Sequence, residues 1–340
     1  MKIAIGFKTK KGPWGGGNKF VLSLSNYLKK KGHFVTYYLD DIDIDLILII
    51  DPRFNHPNVT FTPKEILRYL LFKNKNAIVV HRINECDERK KTKFTNFILR
   101  LSNYCADHSV FVGQWMTHLN LLDKTNINKF SIIKNGSNKK VFNSKSYKKW
   151  DKKRPFKLVT HHWSKHWMKG FDVYKKIDDL IEQSKWKNKI KFTYIGNLPQ
   201  NFNFKNSLHI DPLDEKQLSI ELPKHHGYVT ASINEPGGNH QNEGALCGLP
   251  ILYRNSGCFP EYCGGFGVSF DFEDLEKKLS IFLKNYSFYA KKMEKYPHTD
   301  DNTNKQYLDL FDKLINSKSE IVKKRKIFRS FFKLFLNYFV

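Results

Sequence analysis

The chain has 340 residues, more than one hydrophobic core usually accommodates, and its 40% of apolar residues, with 28 Phe and 16 Tyr, suffice for two domains. Lys and Arg outnumber Asp and Glu by 58 to 33, which gives a net charge of +25. No stretch approaches the ~20 apolar residues of a membrane-spanning helix. Five cysteines without a Cys-x-x-Cys pair predict reduced thiols, with no disulfide framework and no zinc site.

Strand and helix patterns alternate along the chain, which is typical of parallel sheets covered by helices. The predicted strands are 2–7, 34–39, 45–51, 77–82, 108–113, 130–134, 156–161, 189–195, 207–210, 227–231, 250–254 and 267–270. The predicted helices are 17–31, 63–73, 91–105, 114–122, 170–184, 214–222, 242–248, 272–296 and 303–317. The chain opens on a strand and not on a signal peptide, so we expect a cytoplasmic protein.

The fold class is therefore α/β, with two Rossmann-like, doubly wound parallel-sheet domains. We place the first domain at 1–143, a polar and basic linker at 144–155, the second domain at 156–317 and a basic amphipathic tail at 318–340. Sheets of this kind bind ligands at the carboxyl ends of their strands, so we expect the active site in the cleft between the domains.

Glu235 and Glu243 stand eight positions apart and flank a glycine-rich turn. Such a turn, with the helix that follows, leaves backbone N–H groups open to a phosphate. Carboxylates repel phosphate but accept hydrogen bonds from hydroxyls, so the pair favours a ligand that carries both, as a sugar nucleotide does. The simpler alternative is an ordinary helix start, in which Asn242 caps and Glu243 complements the dipole.

This pattern resembles the donor-site signature of the family 4 retaining glycosyltransferases, of the "glycosyl transferases group 1" type, which have the GT-B fold. Three further stretches agree with the family in the expected order: strand 2–7 followed by Gly15-Gly16-Gly17-Asn18, the Asn135-Gly136 segment with Phe142, and Lys169-Gly170 before a helix. The resemblance covers about residues 1–315.

The resemblance implies a glycosyltransferase of the hexosyltransferase type that moves a sugar, with retention, from a nucleotide diphosphate sugar to a glycan or lipid-linked acceptor. No metal and no other cofactor is implied. The expected catalytic residues are Glu235 on the sugar hydroxyls, His81 near the reacting carbon and Lys169 on the leaving diphosphate. The expected donor-binding residues are Gly16, Gly17, Lys165, Gly237, Gly238, Asn239, His240 and, on the ribose, Glu243.

The chain departs from the family at Trp163, where family members carry an Arg that completes a two-cation clamp with the Lys of the Lys-Gly pair. Lys165 is one candidate replacement, and the partial charge of His161, His162 or His166 is another. Trp163 itself is consistent with packing or with stacking on a base or sugar.

Polar residues also follow the apolar residues 77–80 of the strand predicted at 77–82. His81 there is as consistent with a structural histidine as with a catalytic one. Arg82 and Arg89 suit an anionic acceptor or a phosphate, and surface pairing with nearby acids is the alternative.

The tail at 321–340 places Phe328, Phe331, Phe332 and Phe335 on one helical face and Arg329, Lys333 and Asn337 on the other. This pattern fits an in-plane helix on an anionic membrane, or a closing helix on the first domain whose Phe side chains are core. The first reading makes the protein peripheral on a membrane. Nucleic acid is not the expected partner, since no recognisable nucleic-acid module is present, and many lysines are explained by a low-GC composition.

Two other functions fit the same residues. Non-hydrolysing sugar-nucleotide epimerases share the two-domain fold and cleave the same bond, and a non-catalytic basic binding protein would retain the site as a relic. Conversion of donor without acceptor separates an epimerase from a transferase.

Overall fold

The structure, a computed structural model, describes residues 1–10, 15–53, 56–126 and 129–339. The elements of the first part of the chain are β1 (Lys2–Ile5), α1 (Gly16–Lys30), β2 (Phe34–Thr36), β3 (Leu46–Ile49), α2 (Pro63–Phe72), β4 (Ile78–Ile83), α3 (Thr95–Ser102), β5 (His108–Phe111) and β6 (Phe130–Ile132). They are followed by β7 (Phe156–His162), α4 (Phe171–Ile181), β8 (Ile190–Gly196), β9 (Leu208–Ile210), α5 (Glu215–Glu221), β10 (Gly227–Thr230), α6 (His240–Leu246), β11 (Ile251–Arg254), α7 (Phe259–Cys263), β12 (Gly267–Phe270), α8 (Leu275–Lys284), α9 (Tyr286–Lys292), α10 (Asp300–Asn316), α11 (Lys318–Lys324) and α12 (Phe331–Phe339).

Each predicted strand forms, and the α/β fold class is confirmed. Some of the helix predictions need correction. Residues 114–122 form only a short 3-10 turn, the predicted helix 272–296 is divided at Asn285 into α8 and α9, and α7 was not predicted. Asn285 ends one helix and begins the next with φ −96° and ψ 11°, outside the helical region.

The chain forms two compact units, one of residues 1–135 with 300–340 and the other of residues 136–299. The first unit contains a six-stranded parallel sheet in the order β2-β1-β3-β4-β5-β6. The second contains another, in the order β12-β11-β10-β7-β8-β9. The central strands are buried on both faces, which explains their continuous apolar sequence.

The helix predicted at 303–317 was assigned to the second domain, and that assignment is wrong. It is α10, and its apolar stripe of Tyr307, Leu310, Phe311 and Leu314 lies in the core of the first unit. The ring centroids of Tyr307 and Phe20 of α1 are 5.1 Å apart. The amphipathic spacing showed that this face is buried but not which sheet it covers.

Residues 144–155 are not a linker either, because they pack within the second unit. The Tyr147 hydroxyl lies 2.5 Å from that of Tyr286, which also accepts the backbone N–H of Trp150 at 2.8 Å. The Trp150 ring packs edge-on against Phe156. Tyr147 and Trp150 thus hold the segment within the second unit despite its polar, basic composition.

The tail packs on the first unit, as the closing-helix alternative required. Ile321 and Val322 pack against the core below α1, and Ile327 and Leu334 pack against the core on the other face of the sheet. That alternative was wrong about the Phe side chains, because Phe331 and Phe332 are exposed.

Candidate active site

Parallel pairing of β7 with β10 brings the loops that follow these strands to one edge of the second sheet. Lys169 ends a short 3-10 turn after β7, and the backbone N–H of Ile233, after β10, donates to the Met168 carbonyl at 2.8 Å. Gly170 has φ +99°, and a Cβ there would lie 2.5 Å from the Ala231 Cβ. Glycine is therefore needed next to Lys169 for the two loops to meet.

The structure brings Lys169 and Glu235, both predicted as catalytic, into direct contact. Lys169 Nζ donates to Glu235 Oε2 at 2.5 Å, and the two side chains are only 12% and 6% exposed. Because the pair is buried, loss of either partner would leave the other without compensation away from water.

The backbone around Glu235 is held in an uncommon conformation. Asn234 has φ +52°, which asparagine tolerates better than most residues. The Glu235 carbonyl accepts the N–H of Cys258 at 2.9 Å, and a Cβ on Gly257 would lie 2.5 Å from the Glu235 nitrogen. Sequence reasoning missed Gly257, although a glycine in a loop after an apolar strand is a signal of close backbone approach.

The glycine-rich turn leads into α6, which begins at His240 with Asn239 at the N-cap. Asn242 therefore does not cap the helix, contrary to the simpler alternative. It lies inside α6, where its Oδ1 accepts the Tyr296 hydroxyl at 2.6 Å. At Gly238 a Cβ would lie 2.5 Å from Gln241 Oε1, so a larger residue there would displace the Gln241 side chain.

Glu243, the second acid, lies on α6 next to the end of β7. Its Oε2 is 2.8 Å from His161 Nε2, and the other ring nitrogen of His161 is 3.0 Å from the Tyr228 hydroxyl. Burial raises the pKa of Tyr228 well above its ordinary value, so its proton stays in place. His161 thus positions the buried Glu243, and the suggestion that it supplies charge to a phosphate clamp is not supported.

His162 and His240 pack together beside this chain of contacts, with ring centroids 4.5 Å apart. Desolvation lowers the pKa of His240 to about 3 and that of His162 well below its ordinary value. His240 Nε2 lies 2.7 Å from the Thr230 hydroxyl, and His162 Nε2 lies 2.7 Å from the Tyr174 hydroxyl. Both histidines are therefore neutral at physiological pH, and His162 cannot replace the charge of the missing Arg.

Arg254, at the carboxyl end of β11, is a cation at the same edge that sequence reasoning overlooked. Its Nη1 donates to Asp172 Oδ2 at 2.8 Å and lies 3.4 Å from the Ala231 carbonyl. The feature of the sequence that could have identified Arg254 is its position at the end of an apolar strand. Trp163 and Lys165, in contrast, are exposed.

The first unit has its own cavity, of about 380 Å³, at the carboxyl ends of its strands. Gly16 and Gly17, in the first turn of α1, line it. Its charged lining residues are Lys10, Asp51, Arg53, Arg82, Glu85, Arg89 and Lys90. Two of its cations are paired within the cavity, Arg53 with Asp51 and Arg89 with Glu85.

His81 does not line this cavity. It lies within β4 and not after it, is fully buried, and its Nδ1 is 3.5 Å from Asn103 Nδ2. Residues of a strand point alternately to its two sides, so Arg82 and Asn84 reach the cavity and His81 does not. Burial lowers the pKa of His81 to about 4.

Within the described residues, no cluster of three or more His, Cys, Asp or Glu side chains is arranged to hold a metal ion. All five cysteines are buried and free.

No family model matches the sequence, and no curated protein matches it either. Solved structures match nearly the whole chain. The lipopolysaccharide outer core galactosyltransferase WaaB in its apo form aligns with a TM-score of 0.67 over 92% of this chain and 100% of its own, at 11% identity. The catalytic domain of starch synthase IV from Arabidopsis thaliana, bound to ADP and acarbose, aligns with a TM-score of 0.66 over 93% and 99%, at 12% identity.

The chain has the GT-B fold. A further GT-B structure, Anabaena HepE in complex with UDP-glucose, aligns with a TM-score of 0.63 over 92% of this chain and 100% of its own, at 11% identity. At such low identity the similarity establishes the GT-B architecture and leaves the roles of individual residues to be argued from their geometry.

Proposed function

We propose that the chain is a retaining glycosyltransferase that transfers a sugar from a nucleotide diphosphate sugar to a glycan or lipid-linked acceptor. The observation that carries the proposal is the buried Lys169–Glu235 pair at the carboxyl edge of the second sheet. The GT-B fold supports it, since WaaB, which has this fold, is a galactosyltransferase and HepE, which also has it, was crystallised with UDP-glucose.

The Lys169–Glu235 pair is suited to a ligand that carries phosphates and hydroxyls together. A diphosphate offers Lys169 a more highly charged partner than one carboxylate, and a sugar offers Glu235 hydroxyl donors. Donor binding then replaces one ion pair by two interactions, and neither buried charge is left uncompensated.

The same arrangement favours the chemical step. Transfer breaks the bond between the anomeric carbon and the phosphate oxygen, and the electron pair leaves with the diphosphate. Lys169 stabilises the charge that develops there, while Glu235 orients the sugar. The acceptor hydroxyl forms its new bond to the anomeric carbon on the same face of the sugar, because configuration is retained, and its proton passes to the departing diphosphate oxygen on that face.

The remaining polar groups divide between donor and acceptor. Glu243, held by His161, suits the ribose hydroxyls of the nucleotide. We propose that the cavity in the first unit receives the acceptor. Arg82 and Arg89 line this cavity, which favours an anionic acceptor. His81 is fully buried, so we propose no contact between it and a substrate.

A thermal-shift panel of UDP, ADP and GDP sugars tests the donor. A donor at 100 times its Kd should stabilise the protein by about 2.7 kcal/mol. The nucleotide sugar that stabilises the protein should then act as donor in transfer, and NMR of the product should show that the anomeric configuration is retained. Conversion of donor without acceptor would establish the epimerase instead. Binding without any turnover would leave the non-catalytic alternative.

A further inference from the structure

The C-terminal helix α12 has two faces, and the protein buries the more polar one. Asn337 is fully buried, and Leu334 packs against the core of the first unit. On the opposite face Phe331, Phe332 and Phe335 are 74%, 71% and 61% exposed. Together with Phe328, which precedes the helix and is 58% exposed, they form what we call the Phe face. An ordinary surface helix would show the reverse orientation.

This orientation is fixed by ion pairs between the tail and the first unit. Arg325 Nε donates to Asp107 Oδ1 at 2.8 Å, and both side chains are almost completely buried. Lys333 pairs with the carboxylate of Asp123, which is also buried. The outward direction of the Phe face is therefore a property of the folded unit, and the helix is not a loose extension.

The surroundings of the Phe face are basic. Residues 321–340 contain six Lys and Arg and no Asp or Glu, and of these six Arg325 and Lys333 are paired with carboxylates of the first unit. Lys323 and Lys326 are exposed just before α12, and Arg68 is exposed on α2, a helix that contacts α12. Lys64 Nζ, also on α2, lies 4.5 Å from the ring centroid of Tyr338. A cluster of exposed aromatic side chains with a cationic border marks an interaction surface.

We propose that this Phe face, defined by Phe328, Phe331, Phe332 and Phe335, docks the folded first unit onto an anionic lipid bilayer. The Phe rings enter the boundary between headgroups and acyl chains, with α12 parallel to the membrane plane. The exposed lysines lie at the level of the lipid phosphates. Within the described residues no helix is long and apolar enough to cross the bilayer.

Charge favours a membrane over a second copy of the chain. A symmetric dimer through this face would bring together two sets of basic tails, each on a protein of net charge +25. Like charges in such an interface repel, whereas anionic lipid neutralises them.

The test is flotation of the full-length protein with phosphatidylcholine vesicles, with and without phosphatidylglycerol, at low and high salt. The parent should float only with the anionic vesicles, and less at high salt because its lysines are screened. The double variant Phe331→Ser/Phe332→Ser should lose binding by at least about tenfold, because two inserted rings are removed. Its melting temperature should not fall, since both side chains are exposed.

Phe288→Ser provides the matched control, because Phe288 on α9 of the second unit is 58% exposed, the same as Phe328. This variant should float like the parent. Unchanged flotation of the double variant, or equal loss in the control, would overturn the proposal. A parent that ignores anionic vesicles but forms dimers that the double variant cannot form would show that the occupant is a second copy. If the double variant fails to fold, Phe332→Ser alone is compared with the control in the same assay.

Discussion

Replacement of either partner of the Lys169–Glu235 pair should destabilise the second unit. Glu235→Gln leaves the Lys169 ammonium, 12% exposed, without its carboxylate, and Lys169→Met leaves Glu235, 6% exposed, without its cation. Loss of one partner from a buried pair costs about 3–5 kcal/mol. We expect about 3 kcal/mol for Glu235→Gln, since Lys169 retains some contact with water, and about 4 for Lys169→Met.

The double variant Glu235→Gln/Lys169→Met should be less destabilised than the sum of the two single variants, because it leaves no unpaired charge. The expected coupling energy is about 2–3 kcal/mol. Denaturant unfolding monitored by tryptophan fluorescence reports mainly on the relevant unit, since four of the six tryptophans, Trp150, Trp163, Trp167 and Trp186, belong to the second unit.

The two single variants should differ in ligand binding. Glu235→Gln removes the competitor of the phosphates, so the affinity for the nucleoside diphosphate selected by the panel should stay equal or increase while transfer is lost. Lys169→Met should weaken the same affinity by about tenfold or more, because a charge-assisted interaction contributes ~1.5–3 kcal/mol.

Calorimetry with the nucleoside diphosphate decides between these expectations. Equal weakening in both variants would refute the division of the donor between Lys169 and Glu235. Full transfer activity in Glu235→Gln would remove this residue from the site, and additive destabilisation would show that the pair is not coupled.

Three further outcomes are expected. Glu243→Gln should weaken nucleoside diphosphate binding by about tenfold yet leave pyrophosphate binding unchanged, because it acts on the ribose; equal losses for both ligands would contradict this role. Because the pKa of His81 is about 4 when folded and 6.5 in its ordinary state, the unfolded chain binds more protons between these values and stability falls as pH falls. His81→Gln should therefore remove about 2 kcal/mol of the stability difference between pH 7 and pH 5 in urea unfolding, and an unchanged pH dependence would count against it. Arg325→Leu should destabilise the first unit by about 3 kcal/mol by leaving the buried Asp107 unpaired, whereas Lys324→Leu, at a side chain 70% exposed, should have almost no effect; similar losses in both would refute the argument.

Local pattern was enough to predict the strands of both sheets. Strands buried on two faces require long apolar runs such as that of β3, and these are visible without any knowledge of neighbours. The Lys169-Gly170 pair and the spacing of Glu235 and Glu243 are equally local, because a tight loop demands glycine at a particular position. The sequence by itself therefore determined the fold class and named most residues of the candidate site.

Only the tertiary structure decided which of these groups meet. Lys169 pairs with Glu235 across 66 positions of the chain and His161 with Glu243 across 82, through the adjacency of β7 with its neighbours at one sheet edge. Because side chains alternate along β4, His81 is buried and Arg82 faces the cavity. The predicted strand at 77–82 did not show which side of the sheet each of these residues faces.

The C-terminal helices show the same limit most clearly. Their amphipathic spacing predicts that one face is buried, but it does not specify the surface that covers that face. Buried carboxylates of the first unit, Asp107 and Asp123, attract the basic face of the tail and so leave its Phe face in contact with water. Long-range charge pairing, which depends on residues about two hundred positions away, thus determined the orientation of a helix whose existence was evident from its own sequence.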